Sequence, residues 1–206
     1  TESRTRFKIH TIEVFLMTVP KRGISDEPTE SFMEHLKLRE GFRENVYPDG
    51  DNLAAGTGHL LTAEEKAIYK EGDRISPEIT SQWLKQDSSL AYSQALGQAK
   101  ELGIDDQGMI EALGSVNFQM GGNWKSKFPG VWKGLQSGDW ESAAQNVQWI
   151  NPSTQQSESD WHRQTPKRTG DFMKAIRQYG EGQKKSIDPS GIAMEAMSKI
   201  DKPLGY

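Results

Sequence analysis

The sequence predicts an α+β protein that is mostly helical, and three observations lead there. Apolar residues recur at three-to-four-residue spacing in several segments, the signature of helices that bury one face. One short stretch, Val46-Tyr47-Pro48-Asp49-Gly50-Asp51-Asn52, instead reads as a strand entering a turn whose angles Pro and Gly set. Finally, 206 residues suffice for one domain, or a two-lobed one, with a substantial core.

The first helix is expected to open at Ser31-Phe32-Met33-Glu34, a capping-box pattern. Phe32, Met33 and Leu36 share one face, and Gly41 is the C-terminal stop. Glu40 therefore falls at a helix end, near a cleft rim, while Asp49 hangs from the strand's turn and faces back. Ser76-Pro77-Glu78 starts a long helix, with Ser as N-cap and Pro at the first helical position. Its apolar face runs through Ile79, Trp83, Leu90 and Ala91. Asp87 lies on that face too, and a half-buried acid needs a partner.

Asp105 to Met120 forms the next helix, with Ile110, Leu113 and Met120 inward and Gly121-Gly122 ending it. Phe128-Pro129-Gly130 begins a short helix that stops at Gly138. Asp139-Trp140-Glu141 caps another, carrying Ala143, Ala144, Val147 and Ile150. The polar stretch from Ile150 to Asp160 predicts a loop. Thr165 is the expected N-cap of the last helix and Pro166 its first residue, with Phe172, Ile176 and Tyr179 inward.

Around this body, residues 29–180, lie two flanks. Residues 1–28 read as an arm or linker containing a candidate strand over Phe7 to Leu16, with an ordered edge strand as the alternative. Residues 181–206 read as a Gly-, Lys- and Ser-rich tail with an amphipathic piece from Ile192 to Ile200.

Composition excludes several function classes. The 25 Lys and Arg against 29 Asp and Glu give a net charge of −4, which argues against a nucleic-acid binder or a basic membrane-surface protein. Without cysteine there are no disulfides and no thiolate chemistry. His10, His35, His59 and His162 lack zinc-ligand spacing, so neither a metal nor a cofactor is expected. The longest apolar run, Val14 to Met17, falls far short of the ~20 residues that span a bilayer. No secretory signal pattern is present. Gly56-Thr57-Gly58 lacks the third glycine of a dinucleotide loop, and no parallel-sheet pattern surrounds it.

Two carboxylates facing each other from a helix end and a hairpin suit glycosidic-bond hydrolysis, where one must be protonated and the other ionised. Spacing alone leaves Glu40 and Asp49 as two among 29 acidic residues. The stretch Leu38 to Thr62 adds more, because it resembles the active-site segment of T-even phage lysozyme and its endolysin relatives, glycoside hydrolase family 24. There a helix-end Glu is followed by eight residues, then an Asp, a glycine-bearing turn, and Gly-x-Gly-His-Leu-Leu-Thr. Glu40, Asp49 and Gly56-Thr57-Gly58-His59-Leu60-Leu61-Thr62 match that order. Phe118-Gln119-Met120-Gly121 and Arg163-Gln164-Thr165-Pro166-Lys167-Arg168 resemble two further family motifs, and the resemblance covers residues 31–180.

It implies a lysozyme-like two-lobed fold, with a small β-hairpin lobe and a larger helical lobe around a cleft. It also implies a muramidase that cleaves the MurNAc–GlcNAc bond of bacterial peptidoglycan with inversion. Glu40 would be the acid and Asp49 would orient or activate water, with the carboxyl groups about 6.5–9.5 Å apart. His59 and Gln119 would shape the substrate cleft, Asp87 would pair with His59, and Arg168 with Glu40. One position departs from the family. A Thr that helps hold the attacking water is replaced by Ala54, counting back from His59, or by Ala55, counting forward from Asp49. A methyl group cannot hydrogen-bond water, so a catalytically impaired glycan-binding or structural module is the alternative. The acidic balance, the long flanks and the absence of an initial Met lead to the expectation of a larger phage virion protein that acts at the host wall or periplasm. A free lysis enzyme from the host cytoplasm is the other expectation.

Overall fold

A computed structural model describes residues 23–187 of the chain. The candidate strand Phe7 to Leu16 and the amphipathic piece Ile192 to Ile200 lie outside them. The fold is α+β, a small antiparallel sheet beside a larger helical part.

Helix α1, Glu30–Glu40, starts earlier than its sequence pattern suggests. Thr29, not Ser31, is the N-cap, and its hydroxyl accepts from the Phe32 amide at 3.1 Å. Two overlapping polar patterns compete here, and the extended backbone at Thr29 selects the upstream one. Gly41, at φ 73°, ends the helix as expected, so Glu40 occupies its final turn.

Strands β1 (Arg43–Asp49), β2 (Asn52–Gly56) and β3 (His59–Leu60) form the sheet in that order. Asp49 pairs with Asn52, leaving Gly50-Asp51 as a two-residue turn, with Gly50 at φ 57°, the sign such hairpins demand. The next element, not expected from the sequence pattern, is helix α2 (Ala63–Ile68). It is opened by a full capping box between Thr62 and Glu65.

Helix α3, Pro77–Leu102, has the expected Ser76 cap and is 26 residues long. That length lets it serve two cores. Trp83 joins Val46, Ala55, Leu61 and Ile75 in a small core under the sheet. Further along, Tyr92, Ala95 and Ala99 belong to a large core. Leu90 does not face inward as its spacing suggested; it is 62% exposed, because Ala91 and Tyr92 take the buried positions where α3 passes between the two cores.

The large lobe continues with α4 (Gln107–Met120), α5 (Trp124–Lys127), α6 (Pro129–Ser137) and α7 (Trp140–Gln148). The polar stretch read as a loop is instead a short hairpin of β4 (Trp149–Asn151) and β5 (Gln156–Glu158), pairing Trp149 with Glu158 and Asn151 with Gln156. Gln155 and Ser157 sit at φ 50° and 62°, a left-handed conformation that neither residue type advertises. After α8 (Asp160–Gln164), helix α9 runs from Pro166 to Ile187, past the point where the tail was expected to begin. Phe172 and Ile176 are buried on it. Fully buried Trp124 meets Trp132 and Phe172 edge-on, at centroid distances of 5.7 and 5.9 Å.

Of the expected N-terminal arm, residues 23–28 are described. Ile24 packs on the large core, the Ser25 amide donates to Gln107 Oε1 at 3.0 Å, and the Tyr92 hydroxyl donates to the Ser25 carbonyl at 3.0 Å. Among the described residues no helix is long and apolar enough to cross a membrane.

Candidate active site

Glu40 stands where both lobes come within reach. Its side chain is 22% exposed, and its Oε1 accepts from Nη2 of Arg168, which is buried in the first turn of α9. Its Oε2 lies against the turn between β2 and β3, where a Cβ on Gly58 would come within 3.9 Å of that oxygen. Gly58 has φ 77°, so this close approach uses a backbone that side chains other than glycine rarely adopt. Gly56 serves a related purpose, since a Cβ there would meet Thr80 at 3.2 Å. The end of β2 is thereby seated on α3.

Asp49 projects from the end of β1 and is exposed. Side chains directly opposite in an antiparallel pair share a face, and alternate residues of a strand do too. Tyr47 pairs with Ala54, which pairs with Leu60, so Tyr47, Asp49, Asn52, Ala54 and Leu60 lie on one side of the sheet. Ala55 is on the other, within the small core. The register therefore distinguishes the two alanines: Ala54 shares the face of Asp49. Both alanines are fully buried.

His59 is held from three directions. Nδ1 is 2.8 Å from Asp87 on α3 and Nε2 is 3.0 Å from Glu65 on α2, while the ring stacks on Trp83 at 4.4 Å between centroids. The pairing with Asp87 is the one the resemblance implied. Glu65 was missed, although Thr62-Ala63-Glu64-Glu65 carried the capping-box signal that could have found it. The same Glu65 oxygen also accepts from the Thr62 amide at 2.8 Å. Burial alone would lower the His59 pKa, but the two carboxylates outweigh it and hold the imidazolium above its ordinary value. For Glu65, burial opposes ionisation, yet His59 and the Thr62 amide bring its pKa below the usual carboxylate range. The result is a cluster in which two carboxylates flank the ring and favour its protonated form, spanning β3, α2 and α3.

Gln119, at the end of α4, is tied on both sides of its amide. Its oxygen accepts from Trp161 Nε1 at 3.1 Å and its nitrogen donates to Thr165 at 3.3 Å. Thr165 does not use its hydroxyl as the expected cap of α9: it donates to the Trp161 carbonyl at 3.0 Å and accepts from Gln119 instead. Gln119 separates two adjoining hollows. One, about 440 Å³, is bordered by Glu40, Leu38 and Arg168. The other, about 410 Å³, is bordered by Gly58, His59, Asp87 and Leu90. Both are in the size range of ligand sites, and together they make a groove that runs from Glu40 past the Gly-x-Gly-His turn.

This geometry brings Glu40, Arg168, Gly58, His59, Asp87 and Gln119 around one groove, with Asp49 on the neighbouring sheet face. Arg43, whose guanidinium sits 4.2 Å from the Tyr47 ring centroid, was not anticipated. Comparison with known proteins points the same way. The phage lysozyme family model matches residues 37–164, which include every one of these groups except Arg168. A peptidoglycan hydrolase, gp36 of Pseudomonas phage phiKMV, is 26% identical over 154 residues, covering 75% of this chain. The match spans only 16% of that relative's length. With more than half of its residues matched by the family model, this chain belongs to the phage lysozyme family.

Proposed function

We propose that this chain hydrolyses peptidoglycan as a muramidase, cutting the MurNAc–GlcNAc bond by a single inverting displacement. The observation that carries this reading is the seating of Glu40. It is the carboxylate that bonds Arg168 of the large lobe and faces the Gly58 turn of the small one, at the end of the groove. A sugar chain lying in that groove would present its glycosidic oxygen to Glu40, which donates a proton as the bond to C1 breaks. Asp49, exposed on the hairpin, takes a proton from water attacking C1 from the opposite side. His59 is braced by Asp87 and Glu65 and keeps the turn that carries Gly58 in place. Gln119, immobilised between Trp161 and Thr165, walls the groove.

The test is digestion of purified peptidoglycan followed by borohydride reduction. A muramidase exposes MurNAc reducing ends and yields muramitol, and Glu40→Gln stops release. Glucosaminitol in place of muramitol would overturn the bond assignment. Product anomers followed by NMR test inversion, since retention would require carboxyl groups only about 5–5.5 Å apart.

A second reading has its own observation. Ala54, on the acid face, offers only a buried methyl, which supports a glycan-binding or structural module of low activity. Clearing of peptidoglycan by this chain at enzymatic rates would dismiss it. For context, we place the chain within a larger virion protein that opens the wall during infection, a reading supported by the much longer phage relative. Mass spectrometry of purified particles tests it, and detection only as a free chain in lysate would reverse it.

A further inference from the structure

We propose that Tyr47 is a catalytic residue of this site: its phenol oxygen accepts a hydrogen bond from the attacking water beside Asp49 and supplies the polar contact that Ala54 lacks. The inference rests on the hydrolase reading above and deepens it. A water that attacks an anomeric carbon must aim a lone pair at C1, so both of its O–H bonds need acceptors. Asp49 is one acceptor. The second has to come from the surface around Asp49, and the sheet register names the candidates.

On that face the side chains are Tyr47, Asn52, Ala54 and Leu60. Ala54 and Leu60 have no polar group. The Asn52 side-chain oxygen is drawn toward α2, where it accepts from Lys66 Nζ at 2.8 Å. That leaves Tyr47, two residues before Asp49 on the same strand and directly opposite Ala54. Opposed side chains in such a pair have Cβ atoms about 4.5–5.5 Å apart, so the Tyr47 side chain borders the same patch of the face as Ala54. Arg43 holds the ring from one side, at 4.2 Å from its centroid.

Electrostatics agree with this placement. Burial raises the Tyr47 pKa, Arg43 opposes it, and both Asp49 and Glu40 raise it further. The phenol is thus within the field of both carboxylates and keeps its proton. In the reaction the water oxygen bonds to C1 as the C1–O bond breaks, and Glu40 protonates the departing oxygen. One water proton passes to Asp49. The other remains on the new anomeric hydroxyl, still bound to the Tyr47 oxygen, and no proton leaves Tyr47.

The experiment compares the unmodified chain, Glu40→Gln, Tyr47→Phe, Ala54→Thr and the Tyr47→Phe/Ala54→Thr pair on purified peptidoglycan, with circular dichroism as a check of fold. Tyr47→Phe is expected to lower kcat about tenfold to a hundredfold with KM within about twofold, and the paired variant to recover most of that loss. Ala54→Thr alone is expected to gain less than about twofold, because the water is already held. That arm decides the matter even if Tyr47→Phe does not fold, since a tenfold gain would mean the water lacked a second acceptor. Tyr47→Phe with undiminished kcat, or a loss confined to KM, overturns the role of Tyr47 while leaving the hydrolase reading intact if Glu40→Gln is dead. An inactive unmodified chain overturns both.

Discussion

The two lobes share one groove but are held together by different physics. Among the described residues, the large lobe buries 21 apolar side chains in one cluster, with Trp124, Phe172 and Tyr92 at its centre. The small lobe's cluster holds five. So few residues supply little hydrophobic stabilisation, and the small lobe is instead fastened to α3 and α2 by the ionised cluster around His59. The lobe that presents Glu40 therefore depends on packing, and the lobe that presents Asp49 depends on charge. This contrast can be broken at either end.

The largest effect is expected in the large core. Trp124→Ala removes a fully buried side chain with two edge-on aromatic neighbours, and such truncations cost about 3–5 kcal/mol. Denaturant unfolding measures it. A loss below about 1 kcal/mol would mean that Trp124 is not the keystone its burial suggests.

In the small lobe, Asp87→Asn leaves the His59 imidazolium with one carboxylate instead of two. Hydrogen bonds to charged groups are worth about 1.5–3 kcal/mol, and Asp87 is about one-third exposed, so a value near the low end is expected. The change should be local. Amide exchange should quicken in β1, β2 and β3 and stay unchanged in α4; uniform acceleration would erase the distinction between the lobes.

The same cluster predicts a pH dependence that the large core lacks. His59 has a raised pKa in the folded chain, so its contribution is complete below its unfolded value of about 6.5 and is lost as pH rises through the folded one. Glu65 has a lowered pKa, so its contribution is present above about 4.5 and fades as pH falls through its folded value. The cluster is strongest between those limits. The difference in Tm between the unmodified chain and Glu65→Gln should be greatest near pH 6 and shrink toward pH 9. A difference that grows with pH would contradict the assigned charges.

The contrast between lobes also explains what the sequence revealed. The helix end at Glu40, the turn after Asp49 and the pairing of Asp87 with His59 were legible because each follows from local periodicity, turn chemistry or a motif at fixed spacing. Other features depend on tertiary choices. Leu90 fits the apolar stripe of α3, yet that helix passes between two cores and Leu90 lies outside both. The β4–β5 hairpin turns over residues 152–155 and holds Gln155, and Ser157 within β5, at positive φ, a backbone choice that neither residue type signals. Glu65 was hidden for another reason: its capping role and its contact with His59 involve the same oxygen, and only the first is written in the local sequence. The catalytic geometry of Tyr47 needs the strand register, which no count along the chain supplies.

The smallest effect sharpens the comparison by placing an ion pair on the packed lobe. Arg177 on α9 makes two contacts with Glu141 on α7, at 2.9 and 3.1 Å, a geometry at least as good as that of His59. Both side chains are largely exposed, however, at 42% and 57%. Hydrogen bonding from Arg177 leads the causes that lower the Glu141 pKa, but water and salt screen an exposed pair. Arg177→Ala is accordingly expected to cost only about 0.2–1 kcal/mol at low salt. In 1 M salt, where screening acts over roughly 3 Å, that cost should nearly vanish. The Asp87→Asn penalty should largely survive the same salt, because His59 is buried on the stacked face of Trp83. Urea unfolding of both variants at two salt concentrations checks this. If the Arg177 pair proves the stronger and the less salt-sensitive of the two, charge is not what distinguishes the small lobe.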